Sequence, residues 1–243
     1  MRHLIIIGSL FLFTLNSCSK STDQPPANLN MADYYPLQVG KYITYKLDST
    51  VFTNLGTKRE IRTYYVRDLI DAVIKDNLGQ DTWRIRRKIR STTDTTQWLD
   101  NATFLVTPGA KRMEFSENNL RFIKLINPVS PSVSWKGNSY INVIDDFLRF
   151  YENWDYNYDK IAEPYTVNGK IFQETITVNH IDQTDGNPND KRFFYEVTRS
   201  SEVYAKGIGL IYKDFLHEFW QPNSANYQNN SFGVRLTILD HNF

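Results

Sequence analysis

Apolar and polar residues alternate with a period of two over most of the chain, the spacing of strands buried on one face. The clearest run is Trp83, Ile85 and Ile89, alternating with Arg84, Arg86, Lys88 and Arg90. Residues 61–90 therefore read as a long hairpin turning at Asn77-Leu78-Gly79-Gln80. Pairing its arms about that turn sets Ile74 opposite Trp83, Ala72 opposite Ile85 and Asp71 opposite Arg86. One misfit remains, Arg67 opposite Arg90. Strand patterns also occupy residues 43–48, 96–106, 112–115 and 120–125, punctuated by Pro108-Gly109 and Asn118-Asn119. Pro128, Pro131 and Gly137 mark a long irregular crossing. Residues 144–151 fit a short helix or a strand equally, whereas Trp154, Tyr156 and Tyr158 alternate with Asp155, Asn157 and Asp159 as a strand would. Asn168-Gly169 is the strongest turn signal, because a two-residue primed turn needs positive φ at both central positions. It joins residues 165–167 to residues 170–178. A polar loop at 182–191 leads to strand patterns at 193–198 and 203–220, and a second polar loop at 221–231 precedes a closing strand marked by Val234, Leu236 and Ile238.

No internal repeat, heptad or long amphipathic helix interrupts this pattern. The fold class is all-β, a single antiparallel meander domain with hairpins in sequence order. It is an open or half barrel, or alternatively a two-layer sandwich. The chain has 243 residues, enough for one large domain with a sizeable core. Aromatic residues make up 14% of it, which favours strands and a large core.

The first residues break the alternation. Met1-Arg2-His3 is a basic start, and residues 4–15 form an apolar stretch shorter than the roughly 20 residues of a membrane-spanning helix. Leu15-Asn16-Ser17-Cys18 follows and resembles a bacterial lipobox. The resemblance implies cleavage before Cys18, a diacylglycerol on its sulfur and an acyl chain on its new amino group. Cys18 is the only cysteine, so lipidation consumes the one thiol and no disulfide forms. The expected organisation is a signal peptide at 1–17, a lipidated cysteine and flexible tether at 18–33, and a β-rich domain at 34–243. As a coil, the tether of about 15 residues spans on the order of 20 Å. Ser19 is compatible with outer-membrane sorting, and the acidic signal around Asp23 is too weak to choose the periplasmic or the surface face.

The domain opens with Tyr34-Tyr35-Pro36-Leu37-Gln38-Val39-Gly40-Lys41-Tyr42. Near its end stands Tyr204-Ala205-Lys206-Gly207-Ile208-Gly209-Leu210-Ile211-Tyr212-Lys213-Asp214. With these motifs the sequence resembles uncharacterised lipoproteins common in Bacteroidota. The resemblance implies an anchored β domain and brings no activity with it.

Charge narrows the function classes. The net charge is +1, and loss of Arg2 with the leader brings it to zero, without the basic excess of nucleic-acid binders. Asp185, Asn187, Asn189 and Glu196 occupy the first, third, fifth and twelfth places of a calcium-type loop. Asp190 stands where that loop needs glycine, so a plain hairpin loop is the expected reading and no metal the expected state. Asp155, Asn157 and Asp159 make a weaker match, broken by Lys160 and Thr166. Tyr151, Trp154, Tyr156 and Tyr158 are candidate ligand-stacking rings, with core packing as the commoner fate of such a stripe. The row Arg84, Arg86, Lys88 and Arg90 reads as a solvated face paired with acids, or as a site for anionic lipid or glycan. Gly207-Ile208-Gly209 reads as a bulge or bend.

Catalytic motifs are missing. His180, His217 and His241 fit no metal-binding spacing, and there is no nucleophile elbow. Apart from the covalent lipid on Cys18, no cofactor is implied. The first functional reading is a non-catalytic outer-membrane lipoprotein with a structural, accessory or protein-interaction domain. Its partners would be membrane lipid through the acylated terminus and an envelope protein. The second reading is a carrier for a hydrophobic or glycan ligand. A concave face that keeps an open cavity favours the carrier; a continuous packed core favours the interaction module.

Overall fold

The structure, a computed structural model, describes residues 29–93 and 97–243. Cys18 and the expected leader lie outside the described residues. Thirteen strands among the described residues join in one antiparallel sheet. They are β1 (Tyr42–Thr53), β2 (Lys58–Lys75), β3 (Asp81–Ser91), β4 (Leu99–Pro108), β5 (Arg112–Glu117), β6 (Leu120–Ile126), β7 (Ser134–Trp135), β8 (Tyr156–Val167), β9 (Lys170–Gly186), β10 (Tyr195–Ala205), β11 (Gly209–Gln221), β12 (Asn226–Tyr227) and β13 (Phe232–His241). Two short 3-10 turns, η1 (Met31–Tyr34) and η2 (Arg149–Tyr151), complete the elements.

The spatial order is β6-β5-β4-β3-β2-β1-β13-β11-β10-β9-β8-β7, with β12 paired to β11 alone. The all-β expectation holds, and the ladder is continuous, so the sandwich alternative is not realised. Two meanders are welded by the terminal strands, with Leu47 of β1 opposite Leu236 of β13 and Tyr45 opposite Ile238. That pairing is the one that would close a barrel. The opening falls instead in mid-chain, between β6 and β7. There Pro128 and Pro131 lack the N–H groups that a ladder needs.

Isolated bonds span this seam. The Ile123 N–H donates to the Gly137 carbonyl at 2.8 Å, and the Trp135 indole N–H donates to the Ile123 carbonyl at 2.8 Å. The Tyr158 hydroxyl donates to the Ile126 carbonyl at 2.6 Å and accepts from the Ile126 N–H at 2.8 Å. The sheet is thus curled until its edges nearly meet. Beyond β7, the free edge of β8 is kinked by positive φ at Lys160 and Ala162 and carries Pro164, devices that discourage strand addition.

The 61–90 hairpin forms, but in a different register from the expected one. Val73 faces Trp83, Ile70 faces Ile85 and Leu69 faces Arg86, with a bulge at Asp71. The bulge lets Ile70 and Val73, three apart in sequence, share a face. It also frees the Asp71 carboxylate to take two bonds from the Arg84 guanidinium, both at 2.9 Å. Tyr65 faces Arg90, and the expected Arg67–Arg90 pair is replaced by another like-charge pair, Arg67 opposite Lys88. Arg67 instead donates to the Thr44 hydroxyl at 3.0 Å and lies over the Tyr42 ring.

Asn168 and Gly169 adopt φ of 51° and 71°, the primed turn read from the sequence. The two motifs behind the Bacteroidota resemblance come together. The Gly207 N–H donates to the Asp33 carbonyl at 2.7 Å, and the Tyr35 and Tyr204 rings meet edge to face. Gly207 lies in the tight β10–β11 turn and Gly209 opens β11 opposite Ala205, with a register shift two residues further on at Ile211. Met31 and Tyr34 are buried, so the packed domain takes in the last residues of the 18–33 segment.

Candidate functional site

On the inner face of the curl, six charged residues stand where alternation calls for apolar ones. Asp68 lies between Val66 and Ile70, Arg87 between Ile85 and Ile89, and Lys124 between Phe122 and Ile126. Glu117 follows Phe115 by two, Glu202 precedes Tyr204 by two, and Lys213 lies between Ile211 and Phe215. Each sits on a strand whose flanking positions fix it inward.

They neutralise one another. Asp68 and Arg87 are cross-strand partners joined by two bonds of 2.6 Å. Lys124, only 4% exposed, reaches across the interior from β6 to Glu202 on β10 at 2.7 Å, and also lies 3.3 Å from Glu117. Lys213 lies 3.3 Å from both carboxylates. The Tyr204 hydroxyl donates to Glu202 at 2.5 Å. The network therefore ties β5 and β6 to β10 and β11 across the concave space.

Its protonation states follow from the pairing. Burial pushes the Glu117 carboxyl up, but Lys124 and Lys213 outweigh it and hold the group at about 2. The same balance holds Glu202 well below the usual carboxylate range. Burial works against the Lys124 ammonium, yet Glu117 and Glu202 raise it well above the ordinary lysine value. Burial pushes the Tyr35 and Tyr204 phenols up, further raised by the nearby carboxylates. None of these shifted groups is placed to exchange protons near pH 7, as general acid–base catalysis requires.

Beside the network lies a cavity of about 270 Å³. Tyr35, Phe104, Phe115, Phe122, Tyr151 and Phe215 supply aromatic walls, and Asp68, Arg87, Glu117, Lys124, Glu202 and Lys213 supply the polar ones. Its exposed lining residues are Asn101 near the start of β4 and Asn118 in the β5–β6 turn. Asn118 precedes β6, whereas η1 is tied to the other end of that strand by the bond from the Met31 N–H to the Asn127 side chain, 2.9 Å. Tyr35, the residue directly after η1, lines the same cavity.

No protein-family model matches the sequence, and no curated protein matches it. A crystal structure of a Bacteroides fragilis NCTC 9343 protein, provisionally named as exported and with a YmcC-like fold, superposes with a TM-score of 0.39. The identity is 9%, over 85% of this chain and 99% of that one. A Parabacteroides distasonis ATCC 8503 protein, provisionally named a lipoprotein, superposes with a TM-score of 0.37 at 10% identity, over 86% and 98% of the two chains. Both scores are too low to establish a common fold.

The sequence candidates are distributed unevenly around this site. Tyr151, Trp154, Tyr156 and Tyr158 are all buried, so they form no exposed stacking platform. Tyr156 donates to the Asn138 side chain at 2.9 Å, Trp154 to the Phe150 carbonyl at 2.6 Å and Tyr158 to the seam, while Tyr151 alone lines the cavity. Asp185 and Glu196 face each other across β9 and β10, and Asn187 accepts the Asn189 N–H at 3.0 Å in a tight local turn. That arrangement is a hairpin loop and does not wrap the four residues around one point. Among the described residues no group of three or more acidic, histidine or cysteine side chains could hold a metal ion. The basic row is paired outward: Arg84 with Asp71, Arg86 and Lys88 with Asp100, and Arg90 over the Trp98 ring.

Two histidines are buried among aromatic rings. His180 stacks on Tyr156 with centroids 4.0 Å apart, bonds the Ser200 hydroxyl at 2.8 Å and lies 3.7 Å from Glu202. Burial, opposed by Glu202, brings it down to about 3. His217 stacks on Phe150 and bonds the Thr198 hydroxyl at 2.9 Å, and burial brings it down to about 4. Both are neutral at pH 7. The sequence reading passed over Asp68, Arg87, Glu117, Lys124, Glu202 and Lys213. Their signal was a charge in phase with the buried side of a strand.

Proposed function

We propose that this chain is a membrane-anchored envelope lipoprotein whose β domain is a non-catalytic binding module. The anchor rests on the lipobox at Leu15-Asn16-Ser17-Cys18. The domain's role rests on one observation: an interior whose charges are consumed in pairing with one another, beside a cavity that keeps a mouth. Paired charges hold a shape and offer hydrogen bonds, but they supply no acid, base or nucleophile. Of the two non-catalytic readings, the cavity favours a carrier. The interaction reading is supported by the exposed Ile144 and Phe147 on the crossing between β7 and η2, a place where an envelope protein partner could dock.

Cells grown with labelled palmitate test the anchor. Wild-type protein should carry label and sediment with outer membranes, and Cys18→Ala should do neither. An unlabelled, soluble wild type would remove the anchor and with it the envelope role.

A further inference from the structure

We propose that the interior cavity binds one neutral, hydroxyl-bearing ring of about the size of a single pyranose sugar. This rests on the carrier reading and names its ligand class. The argument begins with charge. Arg87, Lys124 and Lys213 face Asp68, Glu117 and Glu202, and each lies within 3.3 Å of an opposite partner. An ionic ligand would leave one charge of this closed set uncompensated in a buried space, which is strongly unfavourable. A neutral ligand leaves the set intact.

Hydrogen bonding points the same way. The paired carboxylates and ammonium groups have lone pairs and N–H bonds beyond those used between themselves, and such groups suit hydroxyls that both donate and accept. Tyr151 is 7% exposed and lines the cavity, where a phenol can both donate and accept. Asn101 and Asn118 on the exposed part of the lining add amide donors and acceptors. The aromatic walls meanwhile suit the C–H face of a saturated ring, which combines an apolar face with polar edges. Size is compatible: a cavity of about 270 Å³ has room for one such ring.

The test uses the full-length lipoprotein in a zwitterionic detergent that carries no sugar, with binding read by isothermal titration and saturation-transfer NMR. The probes are methyl glucoside, methyl galactoside and N-acetylglucosamine as neutral rings, glucose 6-phosphate as an ionic one, and indole as an apolar one. At least one neutral sugar should bind at millimolar concentration or below, and glucose 6-phosphate should bind at least tenfold more weakly than its neutral counterpart. Tyr151→Phe should keep the wild-type unfolding midpoint and weaken sugar binding by about threefold to tenfold, one hydrogen bond's worth. Ala102→Trp, which fills the mouth beside Phe104, should abolish binding; should that variant not fold, Tyr151→Phe decides. Absence of binding by every neutral sugar overturns the proposal, as does binding indifferent to Tyr151→Phe, or glucose 6-phosphate binding as tightly. Indole bound without sugar, and blocked by Ala102→Trp, overturns the sugar class and leaves a carrier. Nothing bound by any probe removes both.

Discussion

Replacing Lys124 by methionine removes the one cation that reaches from β6 across the interior. In the wild type, Glu117 is held at about 2 against an ordinary 4.5. That difference corresponds to about 3 kcal/mol of stability at pH 7. The sign is that of a lowered carboxylate: the contribution is complete above about pH 4.5 and is lost as pH falls toward 2. Of the three cations behind this shift, Lys124 acts most strongly, ahead of Lys213 and Arg87, so Lys124→Met should forfeit a large part of it and also leave Glu202 without its 2.7 Å partner. Breaking a buried pair by removing one member typically costs about 3–5 kcal/mol, and the same range is expected here. Adding Glu202→Gln to Lys124→Met leaves Lys213 with Glu117, a neutral remainder. The double variant should therefore be less damaged than the sum of the singles by at least about 2 kcal/mol. Urea unfolding of the mature chain, followed by tryptophan fluorescence at pH 7, gives all three numbers. The deficit of Lys124→Met should also shrink at pH 4, where a protonated carboxyl no longer needs the ammonium. Single-variant costs below about 1 kcal/mol, or strict additivity, would refute the claim that these charges work as one closed set.

The buried histidines predict a second pH dependence. Folded values near 3 for His180 and near 4 for His217 lie below the ordinary 6.5, so stability is complete above pH 6.5 and falls as pH is lowered toward those values. Each histidine contributes a slope of about 1.4 kcal/mol per pH unit, or about 4 kcal/mol for the two by pH 5; unfolding midpoints that stay level from pH 7 to pH 5 contradict it. Tyr158→Phe should cost about 1–2 kcal/mol and raise amide exchange at Ile126, because the lost hydroxyl is that amide's partner across the seam. Unchanged exchange there would show the seam to be held by other contacts. Among positive-φ glycines, Gly186→Ala should be worse than Gly169→Ala. A Cβ at 186 meets the Phe194 carbonyl oxygen at 2.3 Å, whereas the space at 169 is open. Equal thermal shifts for the two would argue against that close approach.

Local signals carried the fold far. The period of two gave the strands, Asn168-Gly169 gave its turn, and Val234, Leu236 and Ile238 gave the closing strand. What the chain did not display locally is what depends on distant partners. The 61–90 hairpin slipped from its expected register because the bulge at Asp71 answers to Arg84 and to the core, neither of which a pairwise count of apolar positions can weigh. The placement of the opening between β6 and β7, with the first and last strands paired, is a property of the whole ladder. Tyr151, Trp154, Tyr156 and Tyr158 could be seen to share a face, but not whether that face met solvent or core. The interior charges were readable in principle. Arg87 interrupts the sequence Trp83, Ile85, Ile89 at the very position alternation turns inward, and such an exception marks a paired interior ion or a functional one.

The claim that the curl encloses a ligand site is tested most directly by native mass spectrometry of the intact lipoprotein extracted from its own membrane. Wild type should fly with an added neutral mass of one small molecule, lost on activation, and Ala102→Trp should fly bare. Wild type and variant both arriving at the mass of the acylated chain alone would contradict the account.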